Sequence, residues 1–183
     1  MITNYDSIKT SGPSDCGLCV LSGITGIEKQ TLVDKYRCKW EGMDYDRLFA
    51  ACWCLYADDH LTWIVNELPK EAKYNNPAHY VFGKPSWENF LSWAEHAERH
   101  LNAGCLGIAQ VHMHGNAMGD RKHQFYINHW VMINGINYKG FEPGERVVHI
   151  SCSVRGRYSV GILEFLMNYG GYNAIWVRPK NNS

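Results

Sequence analysis

The residues best suited to chemistry lie in the stretch SGPSDCGLCV, Ser11 to Val20, where Cys16 and Cys19 sit three apart after a Gly-Pro turn and open an apolar run. A cysteine so placed serves one of three chemistries. It is half of a dithiol redox pair, half of a zinc site, or a lone nucleophile at the start of a helix, and each needs different companions.

A redox Cys-x-x-Cys expects a strand directly before the motif, whereas residues 1–15 are polar and turn-rich. A zinc site needs two further ligands. The chain has no second Cys-x-x-Cys, which leaves Cys16 and Cys19 to be joined by two of His112, His114, His123 and His129. A nucleophile needs a histidine base and a group to orient it. His129 opens the apolar stretch HWVMINGIN, a strand that would hold it rigidly at a sheet end. At a helix start, free amides and the helix dipole favour the thiolate of Cys16, and a protonated His129 lowers the thiol pKa further. Asp15, just before the helix, is expected as its N-cap or first-turn acid. Taken alone, His129 reads better as a core histidine bonded to a carbonyl, and Cys19 reads as an inward-packed thiol.

The elements that must position these residues follow from periodicity and punctuation. Helices are expected over residues 16–27, 30–36 and 44–55, the last with Tyr45, Leu48, Phe49, Cys52 and Leu55 at helical spacing. A weaker helix is read over 63–70, and 75–86 is loop with at most a short strand. Ser86 caps a strong helix that ends at Leu101. Strands are expected over 104–111, 129–137, 146–154 and 173–179, with a polar loop from His114 to Gln124, a turn over 138–145, and a short helix over 160–167. Helices thus come first and an antiparallel sheet second. The expectation is an α+β fold in a single domain spanning 1–183, its two halves packed together.

The composition sets bounds. Of 183 residues, 45% are hydrophobic, enough for a sizeable core, and the formal net charge of zero argues against a nucleic-acid or membrane surface driven by bulk charge. There is no signal-peptide pattern and no apolar run of membrane-spanning length. The seven cysteines, an odd number, suit a reducing compartment, so a cytoplasmic protein is expected.

In their order and spacing, SDCGLCVLSGITG, LNAGCLGIAQV, HWVMINGI and VVHISCS resemble the papain-like cysteine peptidase superfamily. The nearest branch is the small bacterial one of double-glycine leader peptidases and their stand-alone relatives. The specific matches are Asp15-Cys16-Gly17 and His129-Trp130. The resemblance implies a papain-like α+β fold with a cleft between a helical half and a sheet half, Cys16 as nucleophile and His129 as base. It also implies a protein or peptide substrate and no cofactor or metal.

Two positions depart from the family. The glutamine about six residues before the cysteine is replaced by Thr10, beside Ser11; here the oxyanion hole would draw on the backbone amide of Cys16 and a hydroxyl from Thr10, Ser11 or Ser14. The Asp or Asn that orients the histidine is replaced by Ser151-Cys152-Ser153. An antiparallel hairpin pairing Ile136 with Val147 sets His129 opposite Val154, and a slip or bulge would bring Ser153 or Cys152 there, either of which accepts a hydrogen bond from imidazole. Asn134, five residues along the same strand, is roughly 16 Å away and too far.

The expected activity is therefore hydrolysis of a peptide or isopeptide bond through an acyl-enzyme, with acyl or amide transfer using the same machinery. The alternative is an inactive papain-like domain acting as a binding or structural protein. From the early position of Cys16 no N-terminal inhibitory segment is expected, and a compact stand-alone enzyme of this kind would suit a phage or mobile-element product.

Overall fold

The computed structural model describes residues 5–6, 15–65, 87–114, 126–138, 145–168 and 174–180. Helices α1 (Cys16–Thr25), α2 (Lys29–Lys35) and α3 (Tyr45–Ala57) come first, followed by strand β1 (Leu61–Val65) and helix α4 (Trp87–Asn102). Then come β2 (Leu106–His114), β3 (Tyr126–Tyr138), β4 (Arg146–Cys152), β5 (Gly156–Gly161), helix α5 (Ile162–Asn168) and β6 (Ala174–Pro179). The six strands form one antiparallel sheet in the order β1-β6-β2-β3-β4-β5. The fold is α+β, and no helix among the described residues is long and apolar enough to cross a membrane.

Both faces of the sheet are buried. Ile108, Trp130, Met132, Ile175 and Val177 pack against Leu18 and Leu21 of α1 and Leu48 and Leu55 of α3. Their alternate neighbours Ala109, Val131, Ile133 and Trp176 pack on the other face against Trp93, Ala97 and Leu101 of α4 and Phe165 of α5. Side chains of a strand alternate between faces, so a strand covered on both sides reads as an unbroken apolar run. Each of the central strands has that pattern.

Several expectations are corrected. Residues 63–70 do not begin a helix: Leu61–Val65 is a strand paired with β6, so the sheet draws one strand from the helical half. Thr62, Trp63, Ile64 and Val65 are all β-branched or aromatic, which favours a pleated surface over a helix. The helix expected from residue 160 starts at Ile162, and Val160 and Gly161 belong to β5, a strand absent from the sequence reading. A three-residue loop, Ser153 to Arg155, joins β4 to β5, and Gly156 follows it with φ of 74°, the left-handed residue that such hairpins require. Strand β2 continues through His114, where a loop was expected, and β3 begins at Tyr126, so His129 is not the first residue of its strand. Ser86, the segment 75–86 and most of the loop expected after His114 lie outside the described residues.

Gly107 leaves room for the side chains of both neighbouring strands. A Cβ there would meet Cζ3 of Trp176 at 2.9 Å and Cβ of Ile133 at 3.1 Å. The glycine makes room for the indole that fills the α4 face. Gly107→Ala is therefore expected to destabilise by about 1–3 kcal/mol, the range for overpacking, read as a lower urea midpoint at unchanged slope. Gly161→Ala is its control, because nothing lies within 4 Å of a Cβ there. Equal midpoints for the two variants would contradict this packing.

Candidate active site

Cys16 is the first residue of α1 and half-buried. Asp15 occupies the N-cap position, but its carboxylate makes no capping hydrogen bond, which corrects the expected role. It is buried and paired with Lys29 Nζ at 2.7 Å, so it ties the start of α1 to the start of α2. Cys19 lies one turn on and is fully buried.

His129 sits opposite Val111 of β2 and is 5% exposed. The β3–β4 pairing explains what surrounds it. Next to the turn, Ile136 faces Val148 rather than the expected Val147. A bulge between Ile133 and Gly135 removes the offset, and Met132 faces Ser151 as the sequence pairing requires. The ladder ends there. One step further, Cys152 lies beside Val131 and is the diagonal neighbour of His129 on the same face. Its Sγ is 3.1 Å from His129 Nε2. The amides of Val154 and Arg155 also donate to that sulfur, each at 3.4 Å. Cys152 is thus the candidate orienter that touches the imidazole. Ser153, the other candidate, is buried in the hairpin turn and its hydroxyl has no partner among the described residues. Asn134 is occupied elsewhere, donating to Tyr5 O at 3.2 Å.

Trp130 lies past the last β3–β4 pair, Met132 with Ser151, and its amide faces the start of α1. It donates to Cys16 Sγ at 3.4 Å. The thiol therefore rests against the peptide that joins His129 to Trp130. Three residues arrange this: Met43, which sequence reasoning missed, and Gly17 and Trp130, which it matched without reading their packing roles. The Trp130 indole donates to Met43 O at 2.7 Å. A Cβ on Gly17 would meet Met43 Cβ at 3.2 Å, a tight contact, and Trp130 Cδ1 at 3.4 Å, so glycine gives the first turn of α1 room to come this close. The signal was present in the two matched pairs, Cys16-Gly17 and His129-Trp130, each a candidate residue followed by one that packs at the α1–β3 contact.

The electrostatics correct a further expectation. Burial pushes the Cys16 thiol above its ordinary pKa; the amides of Trp130, Gly17 and Cys16 itself pull it down without reversing that, and Asp15 adds to the rise. Burial, with the Arg155 charge second, lowers the His129 pKa to about 4. At neutral pH the resting pair is thiol and neutral imidazole, not the ion pair expected from the helix start. Among the described residues no hydrogen bond joins Cys16 Sγ directly to the imidazole. Thr10, Ser11 and Ser14 lie outside the described residues, as do the side chains of His112 and His114 and the whole of His123.

A row of aromatic rings starts at this site. Trp130 meets Tyr45 at 6.2 Å, Tyr45 stacks on Phe49 at 6.3 Å, and Phe49 and Trp53 meet edge to face at 6.2 Å. Trp53 then meets Tyr56 at 5.7 Å. The far end is open to solvent, with Trp53 49% and Tyr56 43% exposed.

No family model matches the chain, and neither does any curated protein.

The His129 shift has a stability consequence. Its folded pKa, about 4, lies below the ordinary value of 6.5. The stability that depends on the neutral ring is therefore complete above about pH 6.5 and is lost as pH falls towards 4. The loss amounts to about 3 kcal/mol at 1.36 kcal/mol per unit. His129→Gln should remove that share of the acid slope, measured as the difference between the two proteins' urea-unfolding free energies at pH 7 and pH 4. Parallel pH dependences would contradict a desolvated neutral His129.

Proposed function

We propose that the chain is a cysteine hydrolase of papain-like architecture, cleaving a peptide or isopeptide bond with Cys16 as nucleophile and His129 as base. The observation that carries this reading is the convergence at one peptide unit: Cys16 Sγ on the Trp130 amide, and the preceding His129 held through Nε2 by Cys152 Sγ. With Nε2 so engaged, Nδ1 is the nitrogen left for the thiol proton. At rest Cys16 lies with Trp130 on the α1 side of β3 and His129 shares its face with Cys152, so the transfer requires the two side chains to close on each other past the end of the β4 ladder. Cys152 is then a positioning residue that fixes the tautomer, the place that Asp or Asn fills in the papain-like enzymes.

The reaction has two halves. Sγ attacks the carbonyl carbon while its proton passes to His129, and the imidazolium returns that proton to the departing amine, leaving a thioester. Water then attacks the thioester, gives its proton to His129, and the carboxylic acid and the thiol are released. The backbone amide of Cys16 is suited to the oxyanion. The aromatic row along α3 supports a polypeptide substrate with apolar side chains beside the scissile bond. Seven free thiols suit a reducing compartment.

A second reading, a papain-like domain that binds without catalysis, draws on the uncharged resting pair and on an orienter without a carboxylate. An epoxysuccinyl peptide separates the two. The enzyme reading predicts one-to-one labelling confined to Cys16, abolished by Cys16→Ala and slowed at least tenfold by His129→Gln. Cys54, the other half-buried thiol, is the internal control. No labelling, or equal labelling of Cys54, supports the binding domain.

A further inference from the structure

Helix α4 carries a pair of histidines that the proposed hydrolase chemistry does not use. His96 and His100 are one turn apart on the same face, each 8% exposed, with their Nε2 atoms 3.1 Å from each other. A straight N–H···N bond would set the rings end to end, with centroids roughly 5.4 Å apart. The centroids are 4.5 Å apart and the planes lie at 75°. The two nitrogens thus meet at an angle and share one hydrogen bond, whose proton an ion bound between them would replace.

We propose that His96 and His100 chelate a divalent first-row transition-metal ion through both Nε2 atoms, with water completing its coordination. Two imidazole nitrogens at zinc-like bond lengths are about 2.9 Å apart at a right angle and about 3.3 Å apart at the tetrahedral angle. The observed 3.1 Å falls between them, so an ion that displaces the shared proton finds the two nitrogens already at chelating separation. Imidazole pairs select Zn2+, Ni2+, Co2+ or Cu2+ over Mg2+ or Ca2+, which prefer oxygen. The i, i+4 spacing is the one that helical metal sites use.

The surroundings hold the pair in place. His100 stacks on Trp176 at 5.2 Å with planes 14° apart, and Trp63 meets it edge-on at 5.9 Å. Trp176 is seated by Gly107, so the glycine that makes room for this indole also sets the floor under His100. The neighbouring cation, Arg178, is held over the Trp63 ring and donates to Thr62 Oγ1 at 2.9 Å. The pair is separate from the Cys16 site. Trp176 faces Gly107 on β2 and His129 faces Val111, four residues along the strand. That is roughly 13 Å at strand rise.

The test is a Zn2+ titration of the full chain carrying Cys16→Ala, so that the candidate nucleophile does not compete. Calorimetry reads the binding and 15N NMR reads the imidazoles. The expected result is saturable one-to-one binding in which the Nε2 resonances of His96 and His100 move. His96→Gln and His100→Gln should each weaken it at least tenfold while the far-UV circular dichroism is unchanged. Should those variants unfold, the resonances of the unvaried helix decide. Nε2 signals of His96 and His100 that stay in place at saturating Zn2+ would overturn the proposal, as would binding reported only by other histidines or no binding at millimolar Zn2+.

Discussion

The site depends on how closely the first turn of α1 approaches β3. Helices that carry side chains at their contact keep their distance from a sheet, and the residue after Cys16 would set that distance. Glycine at position 17 removes the obstacle: a methyl group there would already press on Met43 and Trp130. With the gap closed, Cys16 Sγ reaches the Trp130 amide, and the indole of the same residue anchors to Met43 O. Asp15 and Lys29 hold the other side of the turn through a buried ion pair. Four elements (α1, α2, β3 and the segment before α3) are thereby referred to one peptide unit. Position is the main thing such a site supplies, because reacting groups held in register avoid much of the entropic barrier of encounter.

The burial that fixes these groups also keeps them uncharged. A charge placed alone on either Cys16 or His129 loses its hydration, which raises one pKa and lowers the other. Moving one proton between them creates both charges at once, and their attraction offsets part of what each would cost singly. Catalysis in such a site would therefore create the ion pair during attack rather than store it at rest. Cys152 fits this regime. A sulfur that accepts from two backbone amides and touches Nε2 fixes the ring without imposing a permanent negative charge.

What could be read in the sequence was local chemistry and strong periodicity. The apolar runs around Ile108, Val131, Val148 and Ile175 gave four of the six strands, because burial on both faces leaves few polar interruptions. Cys152 was legible as a partner for His129 to within one residue, since strand alternation restricts the choices. Three things were not legible. The bulge at Asn134 shifts the pairing by one, at a residue whose side chain reaches Tyr5 across the fold. Strand β1 is too short for its period to show, and its partner β6 is more than a hundred residues away. Strand β5 was signalled by Gly156 three residues past Ser153, but Val160 and Gly161 were absorbed into the helix that follows. The pKa shifts were also out of reach, because desolvation depends on everything that covers a group and not on its neighbours in the chain.

The central claim is that the Cys16 thiol rests on the peptide between His129 and Trp130. Alkylating Cys16 with one equivalent of iodoacetamide and comparing 1H–15N spectra before and after tests it most directly. The account predicts that the Trp130 backbone amide is among the signals that move most, since its acceptor changes from a thiol to a bulkier thioether, and that the His129 imidazole nitrogens respond with it. A Trp130 amide and a His129 ring left unchanged by complete alkylation of Cys16 would contradict it.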